Sequence, residues 1–394
     1  MRTNTDAELL DAVQRIAPVI QQHADEAERA GRLSPATVEV MRTARLFRMF
    51  NPKTLGGLEV SPLTCARVIE AVTALDSAAG WTLTNVLAYA FFCARLPEGG
   101  TEEIFGGDPD AIIAGPFHPP LHASPAPGGF RISGRAPLAS NCREAAWIAV
   151  SAIVMEGDRP STDAQGIPQT ITAVLRAQDC NILETWSVLG MRGTGSDDIS
   201  VDSAFVPAAR TFPLVPEFEP GVHYRGSLYR FPAMGMNAAV FPPVTLAIAR
   251  QAIEEVKAIA QSKTPFIGSS VLRQRAAAQA KVAQAEAAVR SGRALLYDTV
   301  AAAWEKTLAG ERLSLEEKAD LLLAMTNAVQ SSAKAVELMY NAAGTTGIYT
   351  RSPLERHFRD MEVLKQHGFA SENRWETAGQ VYLGLQPDLA MVAF

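Results

Sequence analysis

The chain has 394 residues, 47% of them hydrophobic and 20% charged, which is enough to bury a large core over roughly two to three domains. Its 36 Lys and Arg against 42 Asp and Glu give a formal charge of −6, which argues against nucleic acid as the main partner. The polar N-terminus lacks the apolar stretch of a signal peptide, and no apolar run approaches the roughly 20 residues of a membrane span. Four cysteines lie far apart with no CxxC pair, so we expect a cytoplasmic protein with reduced thiols.

Residues 1–110 are predicted to form an N-terminal α-helical domain. Helical periodicity over the first helix ends at Gly31, a residue type that is common just after a helix. Ser34 followed by Pro35 predicts the N-cap and the first turn of the next helix. The mostly apolar stretch 61–96 predicts two further helices that are largely buried.

Residues 111–216 are predicted to form a central antiparallel β-barrel domain, because short β-rich segments alternate there with Gly, Pro and Asp turns. The same pattern also fits a β-sandwich. Residues 217–394 are predicted to form a C-terminal helical bundle, in which the Ala-rich stretches 276–304 and 316–344 are long helices. Their small side chains suit close helix packing and an oligomer interface. The predicted fold class is therefore α+β.

Several common motifs are absent from the sequence. It contains no P-loop, no G-x-G-x-x-G after a strand, no H-E-x-x-H and no G-x-S-x-G. His118 and His122 are four residues apart, but the two prolines between them keep both histidines off one helical face. We therefore predict no metal site.

Two turn-like segments carry polar side chains that a ligand could use. Loop 186–198 packs three glycines together with Arg192 and Ser196, so its backbone N–H groups could form an anion-binding nest. Ser140 and Asn141 lie where one predicted strand ends before the next begins. From the residues alone, both segments are better explained as turns between strands.

His367 lies close to the end of a predicted helix near the C-terminus. Leu354, Phe358 and Met361 form an apolar stripe on that helix, and His367 falls on the other side together with Asp360. Helix geometry alone therefore favours a solvated histidine at a helix C-terminus over a catalytic one.

Three segments resemble the acyl-CoA dehydrogenase family, and together they extend the resemblance over nearly the whole chain: residues 130–150, 189–207 and 341–360. The resemblance implies an N-terminal helical domain, a central β-barrel and a C-terminal four-helix bundle. The chain departs from the family at the catalytic base. Segment 365–373 offers His367 where a carboxylate is expected, and segment 234–251 contains no acid.

The glycine-rich loop and the segment around His367 together resemble the flavin-dependent monooxygenases built on this fold, which are the oxygenase components of two-component systems. The resemblance implies that a separate NAD(P)H-dependent reductase supplies reduced flavin, as FAD or alternatively FMN. It implies reaction with O₂ through a C4a-hydroperoxyflavin that hydroxylates a small aromatic substrate. We expect an indolic or phenolic ring.

The same resemblance implies roles for individual residues near the reactive centre. Ser140 matches the position whose hydroxyl faces flavin N5, with Asn141 beside it. Leu138 replaces a tryptophan that the dehydrogenases carry over the flavin. His367 takes the position of the base, where it would remove a substrate proton or manage the peroxide proton, and a near-neutral pKa suits either task. Arg192 and Ser196 would close over flavin or substrate.

Further residues are implied in the pocket wall and at a subunit boundary. Trp81, Asn85 and Tyr89 follow one helical face that would line the substrate pocket, although ordinary core packing explains them equally well. The remaining predicted flavin contacts surround a site shared between subunits of a homotetramer: Lys263, Phe266, Gly344, Thr345 and Thr346. Lys263 replaces an arginine of the dehydrogenases.

Two other functions stay open from the sequence. An acyl-CoA dehydrogenase or related flavin oxidase would reduce its own bound flavin with substrate and would need no reductase. A catalytically silent flavin-fold protein would only bind a ligand or partner.

Overall fold

Helices occupy the first part of the chain. The computed structural model describes residues 4–116, 118, 120–163, 166–213, 215, 218–266 and 269–393. The first helices are α1 (Asn4–Ala30), α2 (Pro35–Thr43), α3 (Pro62–Thr73), α4 (Ser77–Phe92) and α5 (Glu98–Phe105).

Two of these helices begin with the same local chemistry. Ser34 Oγ accepts the backbone N–H of Thr37 at 3.1 Å, and Ser61 Oγ accepts that of Thr64 at 3.1 Å. In each case a proline fills the first helical position, where no N–H is needed. The start predicted at Ser34 and Pro35 is confirmed.

A mixed sheet follows the first helices. Its strands are β1 (Ile113–Ala114), β2 (Leu121–Ala126), β3 (Gly129–Ala139), β4 (Trp147–Glu156), β5 (Arg159–Pro160), β6 (Thr170–Arg176), β7 (Asn181–Leu183), β8 (Asp197–Pro207) and β9 (Thr211–Pro213). They pair in the order β7-β8-β3-β2-β4-β6-β9, and β1 and β5 also pair with β4. Strands β7 and β9 are the two ends of this order, and no pairing between them is seen among the described residues.

The prediction of a wholly antiparallel sheet is wrong at two strand pairs. Strand β4 runs parallel to both β1 and β2. Strand β3 already has β2 on one side and β8 on the other. The chain reverses after β3, and β4 therefore lies beside β2 in the same direction rather than against β3.

The chain returns to helices after the sheet. These are α6 (Ala233–Val240), α7 (Pro242–Ser262), α8 (Ala276–Leu308), α9 (Leu315–Ala343), α10 (Pro353–Leu364) and α11 (Arg374–Tyr382). Helix α9 packs against α7, α8, α10 and α11. A Cβ atom on Gly292 of α8 would lie 3.3 Å from Ala328 Cα of α9, so the two Ala-rich helices pack as closely as predicted.

The core has two parts. Helix α3 packs against α7, and apolar residues from both ends of the chain, such as Val13, Ile69 and Leu322, share one buried cluster. A second cluster, which includes Ile132 and Val150, lies within the sheet. No helix in the described part of the chain is both long and apolar enough to cross a membrane.

Candidate active site

A histidine lies among aromatic rings just after α10. His367 donates its backbone N–H to Leu364 O at 3.0 Å, which continues the last turn of the helix. Its ring centroid lies 4.6 Å from that of Phe241, 5.5 Å from that of Trp81 and 5.6 Å from that of Phe369. The interpretation of His367 as a solvated helix-end residue is therefore wrong.

Trp81 links this histidine to a row of hydroxyl groups. Its indole N–H donates to Ser140 Oγ at 3.1 Å. Ser140 Oγ lies 2.7 Å from Ser196 Oγ, which lies 2.8 Å from Thr194 Oγ1. All three hydroxyl-bearing residues are buried. The structure thus brings Trp81, Ser140, Ser196 and His367 together from four separate segments.

A bulge at the end of β3 places Ser140 in this row. The register between β3 and β8 shifts between Ala136 and Ala139. Leu138 has φ +66° and Asn141 has φ +63°, so the turn passes twice through the left-handed region. The Asn141 backbone N–H then donates to Thr194 O at 2.8 Å. Irregularities of this kind re-aim side chains and are common beside functional sites.

A buried carboxylate fastens the glycine-rich loop to α10. Asp360 accepts the Met191 backbone N–H through Oδ1 at 2.5 Å and the Ser77 hydroxyl through Oδ2 at 2.5 Å. Met191 has φ +54°. A Cβ atom on Gly190 would lie 2.3 Å from the carbonyl carbon of Arg359, so only glycine allows this close approach.

Burial sets the protonation of both titratable groups. It lowers the pKa of His367 to about 4, so the expectation of a near-neutral pKa is wrong: the surrounding rings replace the water that would solvate a charged imidazole. An unfolded chain would protonate this ring near pH 6.5, and the folded state therefore loses stability as the pH falls from about 6.5 to about 4. Burial also raises the pKa of Asp360 to about 6, against the opposing effect of its two hydrogen bonds.

A backbone contact bears on the position of the proton on the His367 ring. A neutral imidazole has one donor and one acceptor nitrogen. The Phe369 backbone N–H points at Nδ1 of His367 over 3.4 Å, which is long for a hydrogen bond. This contact favours the neutral ring with its proton on Nε2, where the ring donates. A base acting through Nε2 would first need that proton on Nδ1.

The two other residues predicted on α4 bond within the protein. Asn85 Nδ2 donates to Trp81 O at 2.9 Å, one helical turn earlier. Tyr89 is buried, and its hydroxyl donates to Gly115 O. Asn85 therefore lies next to the aromatic cluster, whereas the Tyr89 hydroxyl ties α4 to the start of the sheet.

Arg192 turns away from the hydroxyl row in this conformation. Its Nε donates to Val188 O at 3.0 Å, and its guanidinium lies 3.7 Å from the Glu28 carboxylate on α1. Of the two loop residues predicted to close over a ligand, only Ser196 lies in the row.

The flavin contacts predicted at a subunit boundary form a second group at the end of α9. Lys263 Nζ donates to Ala343 O and, at 2.6 Å, to Thr346 Oγ1. Gly344 has φ +55° in the intervening turn, and Thr345 is exposed beside it. Two of the three ammonium donors of Lys263 are thus used within the chain.

Large apolar side chains lie uncovered near this group in the sequence. Phe266 is fully exposed three residues after Lys263, and Ile348 and Tyr349 are exposed just after the turn. None of the other described residues of the chain covers these side chains.

Sequence reasoning missed four residues of the site. Phe241 and Phe369 supply ring contacts to His367, Thr194 extends the hydroxyl row, and Asp360 holds the loop. Thr194 and Ser196 alternate with the glycines of the loop, which was a usable signal. The sequence gives no comparable signal for Phe241, because the packing of α6 and α7 determines where its ring points.

A separate cleft of about 360 Å³ lies between α1, α3, α7 and α8. Four arginines line it, and each is paired with a carboxylate: Arg67, Arg250, Arg290 and Arg293. None of the predicted site residues lines this cleft, so the candidate chemistry lies at the His367 cluster instead.

Comparisons with known proteins identify the family of this chain. The family model described as "Acyl-CoA dehydrogenase, C-terminal domain" matches residues 239–372. The indole-3-acetate monooxygenase of Pseudomonas putida is 33% identical over 362 residues, which cover 92% of this chain and 90% of that protein. The chain belongs to the flavin-dependent monooxygenases of the acyl-CoA dehydrogenase fold.

Two further proteins, one curated relative and one solved structure, align over similar lengths. The oxygenase component of the FADH₂-dependent resorcinol hydroxylase from a Rhizobium species is 25% identical, over 98% of this chain and 96% of that one. The structure of XiaF from a Streptomyces species, in complex with FADH₂ and glycerol, superposes with a TM-score of 0.89 at 23% identity, covering 98% of this chain and 97% of that one. That likeness establishes the fold.

The residues around Ser140 fit a flavin ring. Leu138 presents an apolar side chain that is 59% exposed, although its backbone lies beside the buried row. The Asn141 Nδ2 donor is buried and has no acceptor among the described residues. A flat apolar ring edged with carbonyl oxygens and nitrogens would cover the Leu138 side chain and accept a hydrogen bond from Asn141 Nδ2.

Proposed function

We propose that this protein is the oxygenase component of a two-component monooxygenase, which takes reduced flavin from a separate NAD(P)H-dependent reductase and uses O₂ to hydroxylate a small aromatic substrate. The observation that carries the proposal is the contact series from His367 through Trp81 to Ser140. It joins a neutral imidazole, an aromatic wall and a hydroxyl row in one site.

The bound flavin would supply the electrons that activate O₂, so that one oxygen atom enters the substrate and the other leaves as water. The chain's residues would hold the reactants and exclude water. Ser140 and Asn141 would contact the flavin ring. His367 would hold a proton at Nε2 for the oxygen chemistry, because burial keeps the ring neutral and the Phe369 N–H favours that tautomer.

The aromatic cluster around His367 supports an aromatic substrate. The rings of Trp81, Phe241 and Phe369 surround His367 and offer edges and faces to another ring. Two relatives are named for indole-3-acetate and resorcinol, so we propose an indolic or phenolic substrate. Asn85 is the polar side chain next to these rings.

We also propose that a second copy of the chain completes the flavin site in a homotetramer. The turn of Gly344, Thr345 and Thr346, anchored by Lys263, would face the flavin phosphates of a neighbour through the remaining ammonium donor. The fully exposed Phe266 would lie in that contact. The three-part division at residues 110 and 216, the closing of the sheet into a barrel and a cytoplasmic location belong to the same proposal.

The dehydrogenase alternative needs a carboxylate that can take a substrate proton. Asp360, the buried carboxylate of this site, accepts two hydrogen bonds from the protein and is not free for that task. The silent-binding alternative gives no reason for a partly buried, neutral histidine against Trp81, whose indole N–H donates to the hydroxyl row.

An anaerobic reduction experiment separates these functions. We expect that the protein with oxidised FAD will show no loss of flavin colour when indole-3-acetate or butyryl-CoA is added without oxygen. Supplying dithionite-reduced FAD and then air, in the presence of indole-3-acetate, should give a hydroxylated product by mass spectrometry. Anaerobic bleaching of the flavin by butyryl-CoA would contradict the proposal and establish a dehydrogenase.

A further inference from the structure

The buried hydroxyl groups have a defined order of donors and acceptors. Thr194 Oγ1 donates to Met191 O at 2.8 Å, because a carbonyl oxygen can only accept. A hydroxyl has a single proton, so Thr194 must accept from Ser196, which lies 2.8 Å away. Ser196 has then given its proton to Thr194 and must accept from Ser140 at 2.7 Å.

Trp81 fixes the other end of the row. An indole N–H can only donate, and it reaches Ser140 Oγ at 3.1 Å. Ser140 thus accepts from Trp81 and donates to Ser196. One lone pair of its oxygen is left, and no proton. With the row in this direction, Ser140 can accept a hydrogen bond from a ligand but cannot donate one.

The opposite direction of the row loses a hydrogen bond within the protein. Thr194 would donate to Ser196, and Ser196 to Ser140, so the bond from Thr194 to Met191 O would not form. The Ser140 proton would then need an acceptor on the ligand. One net hydrogen bond corresponds to a factor of roughly five in an equilibrium constant. The fold therefore favours a ligand with an N–H at this point over a ligand with a bare nitrogen.

The two redox states of a flavin differ in this respect. The reduced ring carries hydrogen on N5, whereas the same nitrogen of the oxidised ring has only a lone pair. We propose that Thr194 and Ser196 are positioning residues that fix the direction of the row, so that the site prefers reduced flavin to oxidised flavin. This inference rests on the proposed function, because it needs the flavin to contact Ser140.

The test is a comparison of flavin affinities that requires no turnover. Equilibrium dialysis under nitrogen gives the dissociation constants of oxidised FAD and dithionite-reduced FAD for each protein. Among the described residues, Ser140 is the remaining hydrogen-bond partner of the Ser196 hydroxyl in Thr194→Val, so Ser196 donates to Ser140 and the Ser140 proton is turned towards the ligand. We expect the preference for reduced FAD to fall about fivefold. Thr194→Ser keeps the hydroxyl and should retain the wild-type preference.

A second variant protects the test against a folding defect in the first. Ser196→Ala also leaves the Ser140 proton free for the pocket, and the preference should fall in the same direction. An unchanged preference in both variants would overturn the inference, as would a loss in Thr194→Ser equal to that in Thr194→Val, which would indicate a packing effect. If the wild-type protein bound neither redox form of FAD nor of FMN, the proposed function itself would fail together with this inference.

Discussion

Replacing His367 with phenylalanine should reduce the yield of hydroxylated product per reduced flavin consumed by about a hundredfold. Phenylalanine preserves the aromatic contacts with Trp81 and Phe241 but removes both ring nitrogens. Flavin oxidation should continue, with its oxygen recovered as hydrogen peroxide, because nothing then holds the proton at the Nε2 position. Product analysis together with a peroxide assay, under a limiting supply of reduced FAD, measures this partition.

Two matched variants define what the His367 result means. His367→Gln keeps an N–H donor that cannot titrate, so it should recover a large part of the yield if the ring acts as a donor. Equal losses in the glutamine and phenylalanine variants would instead support a base. His23→Gln on α1 changes a histidine whose partner is Glu26, and it should behave as wild type. Normal hydroxylation by His367→Phe would remove His367 from the chemistry.

Replacing Asp360 with alanine should produce a large loss of stability. The change leaves the Met191 N–H and the Ser77 hydroxyl without their acceptor, and each buried unsatisfied donor costs about 1–3 kcal/mol. Thermal unfolding at pH 7.5, where the wild-type carboxylate is charged, should show a clearly lower midpoint. Asp360→Asn should lose less stability than Asp360→Ala, because the amide oxygen of asparagine can still accept one of the two hydrogen bonds.

The control for Asp360 is Asp202→Asn, which changes an exposed aspartate on β8. It should change the free energy of unfolding by no more than about 0.5 kcal/mol. If Asp360→Ala unfolded at the same temperature as Asp202→Asn, the carboxylate would not be what fastens the glycine-rich loop to α10. The account of how the hydroxyl row is positioned would then need another anchor.

Much of the secondary structure was accessible from local sequence chemistry. The Ser34-Pro35 helix start and the long Ala-rich helices α8 and α9 follow from capping and periodicity, which act over a few residues. The parallel pairing of β2 and β4 could not be predicted in this way. Strand β3 already pairs with β2 and β8 on its two edges, so β4 joins the other edge of β2. That choice involves residues far apart in the chain.

The site was harder to predict than the helices for a related reason. A helical wheel places Asp360 and His367 on a polar side, and this led to the solvated interpretation of His367. In the structure that side packs against the glycine-rich loop and α4, so the carboxylate is buried by Met191 and Ser77. The low pKa of His367 likewise comes from rings contributed by α4 and by the junction of α6 and α7. No local pattern carries that information.

The most direct test of the central claim is the fate of labelled oxygen. The protein is mixed with dithionite-reduced FAD and indole-3-acetate, ¹⁸O₂ is admitted, and the products are separated by mass spectrometry. The proposed monooxygenase predicts a hydroxylated product that carries one ¹⁸O atom, with the second atom in water. Resorcinol serves as a parallel substrate. Labelled hydrogen peroxide as the sole oxygen product with both aromatics, or a hydroxyl group that contains no ¹⁸O, would contradict the account.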